Sequence, residues 1–378
     1  MSGLPAVAAL ATVGAAGLFY LVLGWSLVRH WLNEPVVATD QLPAVTLLRP
    51  LKAGVPALRP KLEQLALALR PGDQLVIGVD ESSEEEAVAE SVRTACAGRE
   101  IVIVRCRPGA ALNPKISKLV QMEPQCRHEH WILSDSETII DTAWLDAFRC
   151  EWLGSGADVL SAGYRFVGLD SWPQRLDAAA VLLSLWPGLA LMRRFGTVRF
   201  TLGACTGLRR SDLLDSGGWA AFGGFLAEDH RLGAALAGRG RRIRLSAQVA
   251  TIESDPLTWR DYWRHQCRVA VTYRVSNPAG FAGMALTHGV TASLLLIAIA
   301  PSRWTGLFFL VHFAARSWAA NRLARSLRFP FPRLWMALLP GGLVETFCWA
   351  RSWIATSVWW AGRRWRVSSG GELSPAAK

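Results

Sequence analysis

Carboxylates gather at three points of this 378-residue chain, and each follows an apolar or glycine-rich run. Asp80 ends the run LVIGVD, just before the acidic stretch 81–86. Asp135-Ser136-Glu137 follows HWILS. Glu228-Asp229 follows Gly217-Gly218-Trp219 and Gly223-Gly224. A carboxylate at the carboxyl end of a strand can accept hydrogen bonds from a uracil or a ribose, although it is also an ordinary turn or cap. Two acids one residue apart can hold a divalent cation against a diphosphate, and Mg²⁺ or Mn²⁺ prefers such oxygen ligands. An acid at a helix N-terminus is placed to take a proton from an attacking hydroxyl. Its plain alternative is dipole compensation, worth under about 1 kcal/mol. A fourth element, His265-Gln266-Cys267-Arg268, offers an arginine for a diphosphate. Cys126, His128 and His130 alternate as zinc ligands might, but without a second Cys/His group they read as a strand edge.

Elements must hold these acids in place. Between about 43 and 255, short β-rich runs at 45–48, 75–79, 101–104 and 131–133 alternate with helical patterns at 58–69 and 84–97. That alternation predicts an α/β domain with a mainly parallel sheet, which binds ligands beyond the carboxyl ends of its strands. The acids fall there.

The flanks have a different texture. The chain is 51% hydrophobic and 19% charged, with 18 Trp and a mean hydropathy of +0.22. Soluble domains carry more charge, and indole rings favour membrane boundaries. Residues 4–28 hold no charge and are followed by Arg29 and His30, so 1–30 reads as an uncleaved transmembrane anchor with everything after it cytoplasmic. Residues 256–278 read as an amphipathic helix in the interface, with Arg260, Arg264 and Arg268 on one face. Residues 279–366 read as a C-terminal membrane region: 279–300 long enough to span, 304–320 marginal, 334–360 a re-entrant or interfacial hairpin broken at Pro340-Gly341-Gly342. Residues 367–378 read as a disordered tail. The net charge is +11, and after Pro301 ten arginines face only Glu345 and Glu372. Interleaved with apolar segments, this basic excess points to anionic lipid and not to nucleic acid. Seven scattered cysteines suit a reducing compartment.

The order and wording of these pieces resemble the ceramide glucosyltransferase family, a GT-A-fold branch of the inverting glycosyltransferases that includes bacterial hopanoid-associated members. The resemblance runs from about 45 to 281 and rests on TLLRPLKAG (46–54), Asp80, NPKISKL (113–119), SDSE (134–137), ACTGLRRSDLLDSGGW (204–219), FLAEDHRLG (225–233) and HQCRV (265–269). It implies Asp229 as catalytic base. It implies Asp80, Lys115, Asp135 and Arg268 as nucleotide-sugar contacts, and Asp135 with Glu137 on Mg²⁺ or Mn²⁺. Cys205, Glu228, His265 and Gln266 become acceptor or motif positions. Three residues depart from the pattern: Glu137 stands for Asp, His265 for Gln or Arg, and Val269 for Trp. The implied reaction transfers glucose or N-acetylglucosamine from a UDP-sugar to a hydroxyl of a membrane lipid, hopanoid or ceramide, at the cytoplasmic face of a bacterial inner membrane. A polyprenyl-phosphate or polysaccharide acceptor is the alternative. A catalytically impaired binding protein is a third reading that Val269 favours and the three retained acids oppose.

Overall fold

The computed structural model describes residues 4–35 and 42–376. Its contacts divide the chain into a sheet unit (34–167 and 197–255) and a helical unit (1–33, 168–196 and 256–378).

The sheet unit carries eight strands: β1 Val45–Pro50, β2 Gln74–Asp80, β3 Glu100–Cys106, β4 His130–Ser134, β5 Thr138–Ile139, β6 Val159–Val167, β7 Cys205–Arg209 and β8 Ile243–Glu253. Their order is β3-β2-β1-β4-β7-β6-β8-β5. β1 pairs in parallel with β2 and β4, and β2 with β3. β7 enters antiparallel between β4 and β6, and β8 then runs parallel to β6. The sheet is therefore mixed, and only its first half is the parallel array expected. All four expected strands lie inside β1–β4. Burial on both faces explains the continuous apolar runs of β1, β2 and β4, while the edge strand β3 is only partly buried. Parallel pairing puts the ends of β1, β2 and β4 on one side, so Asp80 and Asp135 emerge there. The helices Leu58–Ala68 and Glu84–Ala95 follow as expected. Part of the acidic run has an ordinary purpose: Ser83 caps the second helix, and Glu84, Glu85 and Glu86 fill its first turn.

In the helical unit, Leu4–Leu32 is one 29-residue helix. Its glycines permit close helix packing. A Cβ at Gly24 would lie 2.4 Å from Pro187 Cβ, and one at Gly17 would lie 2.9 Å from the Gly289 backbone. A second helical run, Trp172–Phe195, is also long and apolar enough to cross a membrane. The sequence reading had folded these residues into the 43–255 domain; they belong with the helical unit instead. A π-turn at Val181–Leu185 interrupts the run, and Tyr20 Oη donates to the Ser184 carbonyl at 2.9 Å. The expected span 279–300 is a pair, Pro278–Thr287 and Gly289–Ile299, bent by 52°. Arg303–Ser326 is a helix of 24 residues. Trp335–Ser352 is a single helix with Pro340 inside it, so the Pro-Gly-Gly break does not make the hairpin expected there.

The amphipathic helix is Trp259–Ser276, capped by Thr258, with Trp259 and Trp263 exposed. The tail corrects another expectation. Residues from 367 are not disordered up to 376: β9 Ser357–Trp360, β10 Arg363–Val367 and β11 Leu373–Pro375 form an antiparallel sheet, and Trp365 is fully buried. One buried indole holds what composition alone presents as a polar, glycine-rich end.

Candidate active site

Arg49 sets the loop after β4. It is 0% exposed inside a strand that is buried along its whole length. Its Nη1 donates to Ser134 Oγ at 2.8 Å, and its Nη2 donates to the carbonyls of Ser136 and Thr138 at 3.0 and 2.5 Å. Burial lowers its pKa to about 10, against the support of Glu137 and Asp135, so it stays charged at neutral pH. A buried cation spending its protons on carbonyls fixes the backbone that presents Asp135 and Glu137.

The helix Pro114–Met122 supplies two cations one turn apart. Asn113 caps it, accepting from the amides of Lys115 and Ile116 at 3.0 and 3.4 Å, and its Nδ2 donates to Glu228 Oε2 at 3.1 Å. Lys115 Nζ lies 2.7 Å from Asp135 Oδ1 and 3.3 Å from Glu228 Oε1. Lys118 Nζ lies 2.8 Å from Asp80 Oδ2. One capped helix thus links all three acidic points.

Glu228 and Asp229 open the helix Glu228–Gly238. Asp229 Oδ1 accepts from the His230 amide at 2.7 Å, and its carbonyl accepts from Thr201 Oγ1 at 2.8 Å. This helix and the loop before β7 touch through Gly233, where a Cβ would fall 2.3 Å from Phe200 Cα. The same loop carries Gly203. A Cβ there would meet Asp135 Oδ2 at 2.9 Å, Lys115 Nζ at 3.6 Å and Asp229 Oδ2 at 3.7 Å. Three functional groups therefore face one bare stretch of backbone. Leu133, Trp219 and Leu232 complete the pocket around them.

Electrostatics in this pocket are unbalanced. Asp135, Glu228 and Asp229 share one ammonium. Burial pulls Lys115 down, but Asp135 and Glu228 overrule it and hold the lysine protonated. Burial raises Asp135, with Lys115 opposing and Glu137 adding. Asp229 is pushed up to about 7, first by burial and then by Glu228, while Lys115 opposes. Glu137 goes the other way: burial would raise it, but its ion pair with Lys52 and a bond from Ser136 keep it low. Lys52 also holds Asp255 at 2.5 Å.

The structure thus gathers Lys115, Asp135, Glu228 and Asp229, with Asp80 held by the neighbouring Lys118. Cys205 opens β7 opposite Ser134; it is fully buried and its thiol is pushed up by burial, so it packs and does not react. His265, Gln266 and Arg268 lie in the helical unit. There Gln266 Nε2 donates to Asp177 Oδ1 at 2.7 Å, His265 Nε2 lies 3.4 Å from the same oxygen, and Arg268 Nη2 is 3.0 Å from His265 Nδ1. Sequence reading missed Gly203 and Arg49. Gly203 stands one residue outside the ACTGLRR block; Arg49 lay inside TLLRP unremarked, although a charge in a buried strand is a signal in itself. Among the described residues no group of three or more His, Cys, Asp or Glu is gathered as metal ligands.

A mixed, curled sheet with acids at its strand ends is the GT-A glycosyltransferase fold. The sequence matches the model of glycosyl transferase family 21, the ceramide glucosyltransferase family, over residues 9–373, and the chain belongs to that family. Among solved structures it is similar to the mannosyltransferase PcManGT from Pyrobaculum calidifontis in complex with GDP-Man and Mn²⁺. The identity is 16%, covering 92% of this chain and 99% of that one, with a TM-score of 0.54. The S. aureus protein TarS (residues 1–349, in complex with UDP-GlcNAc) overlaps more loosely, at 12% identity over 89% of this chain and 100% of that one, TM-score 0.41.

Proposed function

We propose that this glycosyltransferase moves glucose or N-acetylglucosamine from a UDP-sugar to a hydroxyl of a membrane lipid, a hopanoid or ceramide, with inversion. The observation that carries this reading is Asp229. Its Oδ1 is committed to the His230 amide while Oδ2 faces the open backbone of Gly203. Its proton affinity is raised to about 7, which suits a general base at neutral pH. The acceptor oxygen attacks the anomeric carbon on the side opposite UDP. Its proton passes to Asp229, the new C–O bond forms, and the bond to the diphosphate breaks with its electron pair leaving on UDP.

Lys115 keeps a positive charge beside Asp135 and is the residue placed to meet the diphosphate. Asp80, held by Lys118, is the contact for uracil or ribose. Asp135 and Glu137 are oxygen donors one residue apart, a donor set that suits Mg²⁺ or Mn²⁺ with the diphosphate completing the shell. Such a cation would offset the charge of the departing nucleotide. Lys115 and Lys52 bear on the same two carboxylates, so cation affinity should depend on both. The family resemblance adds Arg268 as a diphosphate contact and His265 and Gln266 as acceptor-side positions. The long apolar helices support a membrane setting, and Arg29 with His30 at the end of the first supports a catalytic unit facing the bacterial cytoplasm.

Membranes containing the chain, given radiolabelled UDP-glucose or UDP-N-acetylglucosamine, should yield one labelled lipid, β-linked, with activity lost on chelation and restored by Mg²⁺ or Mn²⁺. Label in polyprenyl phosphate or polysaccharide would overturn the acceptor assignment. An α-linkage would overturn the mechanism, and full activity in excess EDTA the metal.

A further inference from the structure

Inside the helical unit, two thiols touch. Cys267 Sγ on the helix Trp259–Ser276 lies 3.8 Å from Cys348 Sγ on the helix Trp335–Ser352. The pair sits in a small apolar cluster with Ala270, Phe281 and Trp349. Cys348 is buried, while Cys267 is half-exposed. A disulfide needs about 2.05 Å between sulfurs, so closure asks for just under about 2 Å of movement, within reach of side-chain rotation plus a small helix shift.

We propose that Cys267 and Cys348 form a reversible disulfide, and that the oxidised chain is a slowed transferase. Chemistry and placement support it together. The hydrogen bond with the Cys348 thiol, helped by the Arg351 guanidinium beside it, lowers the Cys267 thiol to about 7 against the effect of burial. Burial instead pushes the thiols of Cys106 and Cys126 up to about 11 and about 12. Cys267 is thus the thiolate near neutrality, and Cys348 the resolving partner already in contact. With a peroxide, the Cys267 thiolate attacks one oxygen, giving a sulfenic acid and hydroxide. Cys348 then attacks the sulfenic sulfur, the S–S bond forms and water leaves. Two thiols lose two electrons and two protons, and the peroxide becomes two waters. A dithiol reverses the bond by exchange.

Cys267 stands between Gln266 and Arg268. Drawing it toward Cys348 moves the backbone that holds Gln266 on Asp177, where the hydrogen bond is 2.7 Å. Misplacement of about 1 Å can cost ~100-fold in rate, so a loss of at least ~10-fold is expected. This second half rests on the transfer activity proposed above; bond formation does not.

The test treats the full chain, purified in detergent, with stoichiometric hydrogen peroxide, then maps its peptides without reduction. A Cys267–Cys348 cross-linked peptide, a drop in transfer and recovery of both with dithiothreitol are expected. Cys348→Ala should keep the reduced activity and lose both the cross-link and the peroxide sensitivity. Absence of the cross-link in wild type overturns the proposal whatever the activity. Equal peroxide sensitivity in Cys348→Ala overturns its second half. A cross-link in a chain that transfers no sugar would sink the reading of the function and leave the disulfide standing.

Discussion

The two ends of the central strands both carry buried charge, but in different proportions. At the amino ends, Arg149 and Asp73 form a one-to-one pair at 2.7 Å with both side chains 1% exposed. Asp73 also accepts from the amides of Val45 and Arg70, and Arg149 donates to the Pro43 carbonyl. At the carboxyl ends, Asp135, Glu228 and Asp229 crowd around Lys115. The balanced pair fixes where β1 and β2 begin. The unbalanced cluster leaves one carboxylate reluctant to ionise. Surplus like charge in a desolvated pocket is costly for folding and useful for proton transfer, which is what separates a site from a strut.

Asp229→Asn is the largest test of this contrast. Removing the base should cut turnover by ~10²–10⁴-fold with UDP-sugar binding retained. The same variant should be more stable than wild type at pH 8. Asp229 has a raised folded pKa, so its contribution to stability is present below the ordinary carboxylate range and is lost as pH rises to about 7. Thermal melts at pH 5 and pH 8 should show the advantage growing with pH. An Asn variant with near-normal turnover, or one less stable at pH 8, would remove Asp229 from the role.

At the other end, Arg149→Leu should do the opposite. Breaking a buried pair and leaving Asp73 uncompensated costs about 3–5 kcal/mol. Denaturant melts should show that loss, while transfer per folded molecule stays near wild type. A rate loss matching that of Asp229→Asn would mean that the two ends are not functionally distinct. Gly203→Ala comes next. Its methyl would press on Asp135 Oδ2 at 2.9 Å, so kcat should fall by roughly 10–100-fold with little change in melting temperature. An unaffected kcat would show that the loop yields freely.

The contrast between the two ends also marks what could be read from the sequence. β1, β2 and β4 announce themselves because strands buried on both faces need continuous apolar runs. The acids after β2 and β4 follow from the same reading. The four-residue arginine spacing put a helix at 256–278, and Trp259–Ser276 lies inside those bounds. What stayed hidden depends on partners distant in the chain. Asp73 looks like a turn residue in RPGDQ, and its arginine lies 76 positions away. Arg49 spends its protons on carbonyls 87 and 89 residues on. Gly203 has no side chain to signal, and its value lies in what it leaves out. Trp172–Phe195 has Arg175, Asp177, Arg193 and Arg194 near its ends, so only 178–192 is free of charge and the run does not stand out as 4–28 does.

The smallest expected effect is also the most specific. Glu228 is the second cause of the raised Asp229, after burial. Glu228→Gln keeps an oxygen to accept from Asn113, which donates to Glu228 Oε2 at 3.1 Å, and removes the negative charge. Burial and Asp135 still raise Asp229, and Lys115 still lowers it, so its pKa should fall without returning to the ordinary range. The acid limb of the pH–rate profile, expected near pH 7 in wild type, should therefore move to lower pH. A weaker base removes protons less well, so the plateau should drop modestly, within a few-fold. Transfer is measured from pH 5 to pH 9 at saturating UDP-sugar for both chains, where the limb reports the complex. A limb that stays in place would mean that Glu228 does not tune the base. A collapse of turnover as large as that of Asp229→Asn would mean that Glu228 is itself the residue that takes the proton.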